Sequence, residues 1–442
     1  MNYILAVCII LIIGIIMYII MGDNVCILII TTVILLFINH TSYQSNITGG
    51  GAVRDVVIKL NDKSYTNKPY IMFNDLQEKE AYVWGHRPAN KGNHFGQRKL
   101  VITEIMFLSL KTEPNESYYV VYAGSAPSIK YPVLYELFKN CKFILVDPNP
   151  FGMWTTLISY EKLNSDNDIL AQIQSSSSRT FIINEIMTID IAKKLEPLSN
   201  KLFISDIRTN LLSDKPFDYD IALNNVQQII WINYFKPKFY MLKYRPLYKL
   251  PEAEYYEKFI DIADKIPEWK EYNNRQENLD ETSSYNKMQF IDKETKLAKA
   301  LLVSGDIYLQ CWAGGKSNEC RIIGSNAKIV EEDPDAESKF YYYNMYLRNH
   351  PESHSLKYKD LMDENKYPLY PNNAQLYCGC NDCRIELHWI KKYVDKYNAD
   401  INNVVELITK YTQSIKDHNI KNTTVTHKFT NNNSKKSYLK NR

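Results

Sequence analysis

The sequence predicts an α/β protein built on a largely parallel, seven-stranded sheet with helices on both faces. Short, continuous apolar runs, such as residues 143–146 and 180–183, are typical of strands that are buried on both faces. Segments with helical spacing of apolar residues, at about 131–139 and 221–234, alternate with these runs. This alternation is typical of a parallel sheet covered by helices.

Seven apolar or β-branched runs supply the predicted strands. In chain order they are residues 118–122, 143–146, 180–183, 202–204, 239–243, 306–311 and 320–323. Gly124, Asp147 and Asp206 lie just beyond the first, second and fourth runs. Because ligands of parallel sheets bind at the carboxyl ends of the strands, we expect these three residues at a binding site.

The composition excludes several classes of protein. The chain has 442 residues, of which 45% are hydrophobic and 23% are charged, so wholesale disorder is excluded. Its 53 basic and 50 acidic residues give a net charge of +3, which excludes a uniformly basic protein but not a local basic groove. Eight cysteines in a chain of this length do not make a disulfide scaffold.

Residues 3–38 are predicted to anchor the chain in a membrane. Residues 3–21 carry no charge and are long enough for one spanning helix. The next apolar run, 25–38, reaches only roughly 21 Å, so a single span with an interfacial segment and a hairpin of two helices both remain open. Two buried core helices are the third alternative, which no amphipathic pattern supports. The first basic residue is Arg54, so the positive-inside rule predicts that the bulk of this membrane-anchored chain lies on the cytoplasmic side.

Composition also predicts how the chain is divided. The predicted segments are an anchor at 1–45, a polar linker at 46–70, the main domain at 71–365, a Cys-containing helical extension at 366–418 and a basic tail at 419–442. The tail contains six Lys or Arg residues and no acid, which predicts disorder.

The loop after the first strand predicts a nucleoside cofactor. It reads Gly124-Ser125-Ala126-Pro127 and lacks the remaining glycines of a dinucleotide fingerprint. One glycine allows the backbone to approach an adenosine closely, and Asp147 is placed to bind ribose hydroxyls. S-adenosylmethionine, which has no phosphate, therefore fits better than a nicotinamide dinucleotide. An ordinary turn followed by a strand-end aspartate is the alternative.

Six segments, taken in order, resemble the poxvirus-type family of cap-specific mRNA (nucleoside-2′-O-)-methyltransferases, whose members are also the small, regulatory subunit of poly(A) polymerase. These segments are residues 95–100, 121–127, 145–147, 204–208, 242–245 and 317–321. The resemblance covers roughly residues 70–350 and implies a Rossmann-like, class I S-adenosylmethionine-dependent methyltransferase fold. It also implies that the chain is a giant-virus relative.

The resemblance implies that Lys99, Asp206, Lys243 and Glu319 form the catalytic set. A ribose 2′-hydroxyl is a poor nucleophile and needs a base that is poised near neutrality. Lys243 is the implied base, and Lys99 is the neighbouring cation that lowers its pKa. The two carboxylates orient the ammonium groups. Any one of these residues alone is more often a solvated surface charge.

The resemblance also implies the residues that bind the cofactor. They are Gln97, Leu100, Gly124, Ser125, Ala126, Pro127, Asp147 and Asp206. The loop departs from the family pattern at Ser128, Lys130 and Asn149, so the resemblance does not by itself assign cofactor contacts to Ser128 or Asn149.

The family binds N7-methylguanosine between aromatic rings, with carboxylates at the edge of the base. The implied residues here are Glu337, Tyr248 and Tyr82, with Trp84 as the alternative to Tyr82. Packing in the core is the other role that these aromatic residues could have.

The implied function is methylation of the 2′-hydroxyl of the first transcribed nucleotide of N7-methylguanosine-capped mRNA. The alternative is a non-catalytic, RNA-binding processivity subunit of a viral poly(A) polymerase, with the polymerase catalytic subunit as its partner. The intact Lys-Asp-Lys-Glu set favours catalysis, but the sequence does not separate the two functions.

A cysteine cluster lies in the predicted helical extension. Cys378, Cys380, Cys383 and His388 could hold zinc tetrahedrally. However, the spacing C-x-C-x-x-C lacks the two separated pairs of a strong zinc motif. Ordinary reduced cysteines on a helix are favoured, and no metal is predicted.

Overall fold

The computed structural model describes most of the chain after residue 69. The described residues are 70–81, 94–211, 218–247, 255–277, 291, 296, 301–315, 317–348 and 354–415. All of them belong to one unit, Lys68–Arg442. The predicted anchor and the predicted basic tail lie outside the described residues.

The strands form two sheets. They are β1 (Tyr118–Ala123), β2 (Cys141–Val146), β3 (Glu161–Lys162), β4 (Thr180–Ile183), β5 (Lys201–Ser205), β6 (Phe239–Tyr244), β7 (Leu301–Val303), β8 (Asp306–Leu309), β9 (Cys320–Gly324) and β10 (Ile329–Glu331). The main sheet has the order β3-β4-β2-β1-β5-β6-β9-β8, and β10 and β7 form a separate antiparallel pair.

Helices follow most of the strands. They are α1 (Gly96–Lys111), α2 (Tyr131–Leu137), α3 (Ile169–Ser175), α4 (Ile189–Leu195), α5 (Asp218–Phe235), α6 (Tyr256–Ala263), α7 (Pro267–Glu277), α8 (Ala336–Tyr342), α9 (Tyr358–Leu361), α10 (Pro371–Ala374), α11 (Asn381–Tyr397) and α12 (Ile401–Tyr411). Asp168, Thr188 and Asp400 cap α3, α4 and α12, because each side chain accepts a hydrogen bond from a backbone N–H in the first turn.

The central strand β1 is the point at which the strand order reverses. It pairs in parallel with β2 on one side and with β5 on the other. The following strand, β6, extends the sheet beyond β5, also in parallel. In sheets of this kind the ligand crevice lies outside the carboxyl ends of the strands that flank the reversal. The fold therefore places the crevice at the ends of β1, β2 and β5.

The antiparallel pairing of β6 with β9 brings the loop before β9 to the carboxyl ends of the parallel strands. β9 runs antiparallel to β6, with Lys243 opposite Arg321 and Tyr244 opposite Cys320. The amino end of β9 therefore lies beside the carboxyl end of β6. Glu319, which directly precedes β9, is carried to the crevice by this register.

The structure corrects the predicted fold class in two respects. It is a mixed α/β fold with a large, mostly parallel sheet, compatible with a Rossmann-like fold, but the sheet has eight strands and not seven. The additional strand is the edge strand β3, which pairs with β4. Its two residues, Glu161 and Lys162, are polar and exposed, so no apolar run marked it in the sequence.

The second correction concerns the transmembrane element of the predicted fold class. In the part of the chain that the structure describes, no helix combines the length and the apolar character needed to cross a bilayer. The predicted segment 3–38 lies outside that part.

The carboxyl-terminal helices pack on the amino-terminal helix of the domain. Arg98 of α1 and Glu386 of α11 form an ion pair, with Arg98 Nε 2.8 Å from Glu386 Oε2, and both side chains are fully buried. The indole N–H of Trp312 donates to the same carboxylate. Because these polar groups satisfy one another, α11 is held in a fixed position against the helix that carries Lys99.

Candidate active site

Gly124 lies at the end of β1, where three segments of backbone meet. Its N–H donates to the carbonyl of Val146, and the N–H of Asp206 donates to the carbonyl of Ala123. Gly124 has a φ of +75°, and a Cβ there would approach the backbone of Asp206 and Ile207 to 3.0 Å. The sequence assigned this glycine to close approach of a ligand. In the structure, its close neighbour is the chain's own backbone.

Asp147 holds the loop after β1 in place. One carboxylate oxygen accepts from the N–H of Ala126 at 2.9 Å, and the other accepts from the backbone and side-chain amides of Asn149 at 2.9 and 3.0 Å. A carboxylate has about four lone-pair positions, and these three hydrogen bonds leave Asp147 with about one further acceptor position. Asn149, which departs from the family pattern, orients this carboxylate.

A buried ion pair connects α1 with the residue that precedes α2. Lys130 Nζ is 3.0 Å from Glu104 Oε1, and the hydroxyl of Tyr122 donates to that oxygen at 2.6 Å. Burial raises the pKa of Glu104, whereas Lys130 and the Tyr122 hydrogen bond lower it. Lys130 is therefore buried in an ion pair with α1 and next to the ring of Tyr122 on β1.

Gln97 and Leu100 lie in the first turns of α1 and are half-buried. Gln97 Oε1 is buried, and among the described residues it has no hydrogen-bond partner. An unsatisfied buried acceptor costs about 1–3 kcal/mol, which a donor on a bound ligand would offset. The α-ammonium group of S-adenosylmethionine is such a donor, so Gln97 is compatible with this cofactor.

The structure brings Lys99, Asp206, Lys243 and Glu319 together. Lys99 Nζ is 2.6 Å from Glu319 Oε1, and Lys243 Nζ is 3.0 Å from Asp206 Oδ1 and 3.5 Å from Glu319 Oε2. Each of the four side chains is 12–17% exposed, so the cluster is largely desolvated but open on one side. Four segments supply it: α1, the end of β5, β6 and the loop before β9.

Two arginines complete this cluster. Arg321 is buried and contacts both carboxylates, at 2.7 Å from Asp206 Oδ1 and 3.3 Å from Glu319 Oε1. Arg208 lies 3.9 Å from Glu319 Oε2. Neither was selected from the sequence, although both are in segments that carry the family resemblance. Four cations thus surround two carboxylates, and the cluster has an excess of positive charge.

Burial and this excess charge set the ionisation of the cluster. Burial lowers the pKa of Lys99, and Arg321 lowers it further, while Glu319 acts in the opposite direction. Burial alone would raise the pKa values of Asp206 and Glu319, but Arg321 and Lys243 hold both below their usual range. Burial also lowers the pKa of Arg208, to about 10. The carboxylates are therefore ionised at neutral pH.

Of the residues implied for cap binding, only Glu337 lies in the described part of the chain. Glu337 lies in the first turn of α8 and is half-buried. Tyr82, Trp84 and Tyr248 lie outside the described residues. The helix of Glu337 continues into a segment whose Asn344 donates to the carbonyl of Ser317 at 3.0 Å, which connects it to the loop of Glu319.

Comparison with known families adds an independent finding. Residues 65–273 match the family model described as the poly A polymerase regulatory subunit. This segment is just under half of the 442-residue chain. No curated protein matches the chain.

The match to the poly A polymerase regulatory subunit family includes the loop of residues 124–127, Asp147 and three of the four clustered residues, Lys99, Asp206 and Lys243. Glu319 and Glu337 lie beyond the matched segment. Glu319 is therefore assigned to the cluster by the antiparallel register of β6 and β9 and by its contacts with both lysines.

Proposed function

We propose that this protein is an S-adenosylmethionine-dependent methyltransferase that acts on the 2′-hydroxyl of the first transcribed nucleotide of N7-methylguanosine-capped mRNA. The observation that carries the proposal is the convergence of Lys99, Asp206, Lys243 and Glu319 at the carboxyl edge of the sheet. This edge borders the reversal of strand order, where sheets of this type bind nucleoside ligands.

The cluster supports removal of a proton from a sugar hydroxyl. Lys243 is proposed to accept the 2′-hydroxyl proton on its Nζ, and Asp206 and Glu319 fix the position of that nitrogen. Lys99 and Arg321 contact the same carboxylates, so further positive charge adjoins Lys243. S-adenosylmethionine supplies a methyl group on a sulfonium. Most of the acceleration is then expected from alignment of the hydroxyl with that methyl.

The proposed cofactor residues line the crevice from several sides. The loop of residues 124–127 and Asp147 lie at the ends of β1 and β2, and Asp206 follows β5. Asp206 thus adjoins both the proposed cofactor site and Lys243. The excess of cations in the cluster suits an RNA substrate, because a nucleotide brings phosphate charge into the crevice. Glu337, Tyr248 and Tyr82 are the proposed cap-binding residues.

A methyl-transfer assay tests the proposal. The protein is incubated with S-adenosylmethionine labelled in the methyl group and with matched RNAs that differ only in an N7-methylguanosine cap. Digestion of the product locates the label. We expect label on the ribose of the first transcribed nucleotide of the capped RNA and little on the uncapped RNA. Cofactor binding without transfer to either RNA would contradict the proposed reaction.

The second candidate is an accessory subunit of a poly(A) polymerase, which the match of residues 65–273 favours. In this role the protein would bind RNA and increase the length of tail that the catalytic subunit makes. Adding the protein to that subunit should then lengthen the tails, and Lys243→Ala should not change the effect. Unchanged tail length would exclude this role and leave the methyl-transfer assay unaffected.

A further inference from the structure

A second cluster of reactive side chains lies outside the candidate active site, at the start of α11. The ligand atoms of His354, Cys378 and Cys380 all lie within 4.8 Å of one another. His354 Nδ1 is 3.2 Å from Cys378 Sγ, and Cys383 Sγ is 3.8 Å from Cys378 Sγ. The three cysteines are buried, and His354 is half-buried.

We propose that Cys378, Cys380, Cys383 and His354 bind one structural zinc ion. Three thiolates and one imidazole are a common ligand set for tetrahedral structural zinc. The chemistry favours zinc, because soft thiolates with an imidazole in a closed tetrahedral site select it over metals that prefer oxygen.

The spacing of the sulfur atoms fits a shared ion. At a Zn–S distance of about 2.3 Å and tetrahedral angles, two thiolate sulfurs lie about 3.8 Å apart. The Cys378–Cys383 separation is 3.8 Å. A disulfide would require about 2.0 Å, and no disulfide occurs among the described residues.

The helix geometry explains why two of the ligands face one another. Cys380 is the N-cap of α11, and Cys383 is the third residue of the helix. The side chains at these two positions are neighbours at the start of the helix, and those of Cys380 and Cys383 interact.

A cation adjoins the cluster. The Nε of Arg384 donates to the carbonyl of Gly379 at 2.7 Å, between Cys378 and Cys380 in the chain. A divalent ion with three thiolates and a neutral imidazole has one net negative charge. The guanidinium group is placed to offset that charge.

The histidine in this cluster is not the one selected from the sequence. The ring of His388 packs edge-on against Tyr70 and Trp389, with centroid distances of 4.8 Å to each. His354 lies 24 positions before Cys378 and reaches it through the fold. The sequence favoured reduced cysteines without a metal, and the zinc alternative used His388, which follows the cysteines; the proposed site uses His354 instead.

The ion would fix the helix that supports the candidate active site. Asp382 of α11 accepts from Arg348 Nε at 2.9 Å, and Arg348 also donates to the carbonyls of Ala313 and Gly314, ahead of the loop of Glu319. Glu386, one turn further along α11, pairs with Arg98, the neighbour of Lys99. The proposed zinc therefore has a structural role. It would connect His354, Cys378 and the start of α11, where Cys380 and Cys383 lie.

Metal analysis of the purified full-length protein tests the proposal. We expect one zinc per chain after dialysis, whatever the activity. His354→Ala should weaken zinc binding by at least about tenfold, since even the loss of a group that only orients a ligand costs 10–100-fold. His388→Ala, which removes the other nearby histidine, should retain the zinc. Cys141→Ser, a buried cysteine on β2, is the matched thiol control and should also retain it.

Cobalt substitution gives a second readout on the wild-type protein, and it remains informative if a variant fails to fold. Bound Co²⁺ should show thiolate charge-transfer absorption and the strong visible bands of a four-coordinate ion. Folded wild-type protein that holds no zinc and gives no such spectrum would overturn the proposal. Loss of zinc in His388→Ala with retention in His354→Ala would overturn the ligand assignment.

Discussion

Glu319 is the residue on which both lysines of the candidate site converge, one at each carboxylate oxygen. Burial would raise its pKa, but Arg321, Lys243 and Lys99 together hold the pKa well below the usual value. The folded protein therefore binds fewer protons at this position than the unfolded chain does. The stability that results is fully present above the unfolded pKa and is lost as the pH falls through the folded pKa.

Glu319→Gln should therefore reduce the acid sensitivity of the protein. Between about pH 6 and pH 3, a range that includes the ordinary glutamate pKa of about 4.3, the free energy of unfolding should fall less steeply in this variant than in the wild type. Urea denaturation at several pH values measures the difference. Glu257→Gln is the control, because that carboxylate is 77% exposed and should leave the slope unchanged. Identical slopes in all three proteins would contradict the ionisation assigned to Glu319.

A substitution at Gly124 tests the backbone geometry at the carboxyl edge of the main sheet. Gly124→Ala adds a Cβ at a φ of +75°, within 3.0 Å of the backbone after β5. The left-handed conformation alone costs about 1–2 kcal/mol, and the clash adds to this cost. Calorimetry should show a lower melting temperature and weaker binding of S-adenosylmethionine. Gly314→Ala, where an added Cβ finds no neighbour closer than 3.9 Å, should change neither quantity.

At the scale of elements, the contact between α1 and α11 depends on a buried ion pair. Arg98→Met should destabilise the protein by about 3–5 kcal/mol, because it leaves the carboxylate of Glu386 buried without its cation. Lys396→Ala breaks a more exposed pair between α11 and Glu113, which lies two residues beyond the end of α1, and should cost only about 0–1 kcal/mol. Chemical denaturation of both variants makes the comparison. Equal losses would show that the buried pair does not hold these helices together.

How much of each element could be predicted depended on whether its signal was local. The continuous apolar runs of β1, β2, β4 and β5 are visible in the sequence because these strands are buried on both faces. The strand β3 is polar and exposed, so nothing local identified it. Its existence depends on pairing with β4, which a pattern along the chain cannot show.

The residues of the candidate site also differ in whether a local sequence signal identified them. The loop of residues 124–127 and Asp147 could be selected because each directly follows a recognisable strand. Lys99, Lys243 and Glu319 came from the family resemblance, since their proximity depends on the parallel and antiparallel registers of the sheet. Arg321 and His354 were missed, because each acquires its partners only when distant segments meet.

At the scale of the whole molecule, the small net charge of +3 conceals an uneven distribution. The last 24 residues, 419–442, contain six Lys or Arg residues and no acid. Removing them should lower the affinity for RNA and reduce the slope of log affinity against log salt by up to about 4. Fluorescence anisotropy with a labelled RNA at several salt concentrations measures this slope. An unchanged slope would show that the RNA contacts lie elsewhere.

The proposed reaction depends on one proton acceptor, and single-turnover methyl transfer to capped RNA by Lys243→Ala tests it most directly. We predict a fall in rate of at least about 100-fold with cofactor binding retained, because loss of a general base costs about 10²–10⁴-fold. Lys238→Ala, an exposed lysine just before β6, should transfer methyl at the wild-type rate. A Lys243→Ala protein that transfers methyl as fast as the wild type would contradict the account.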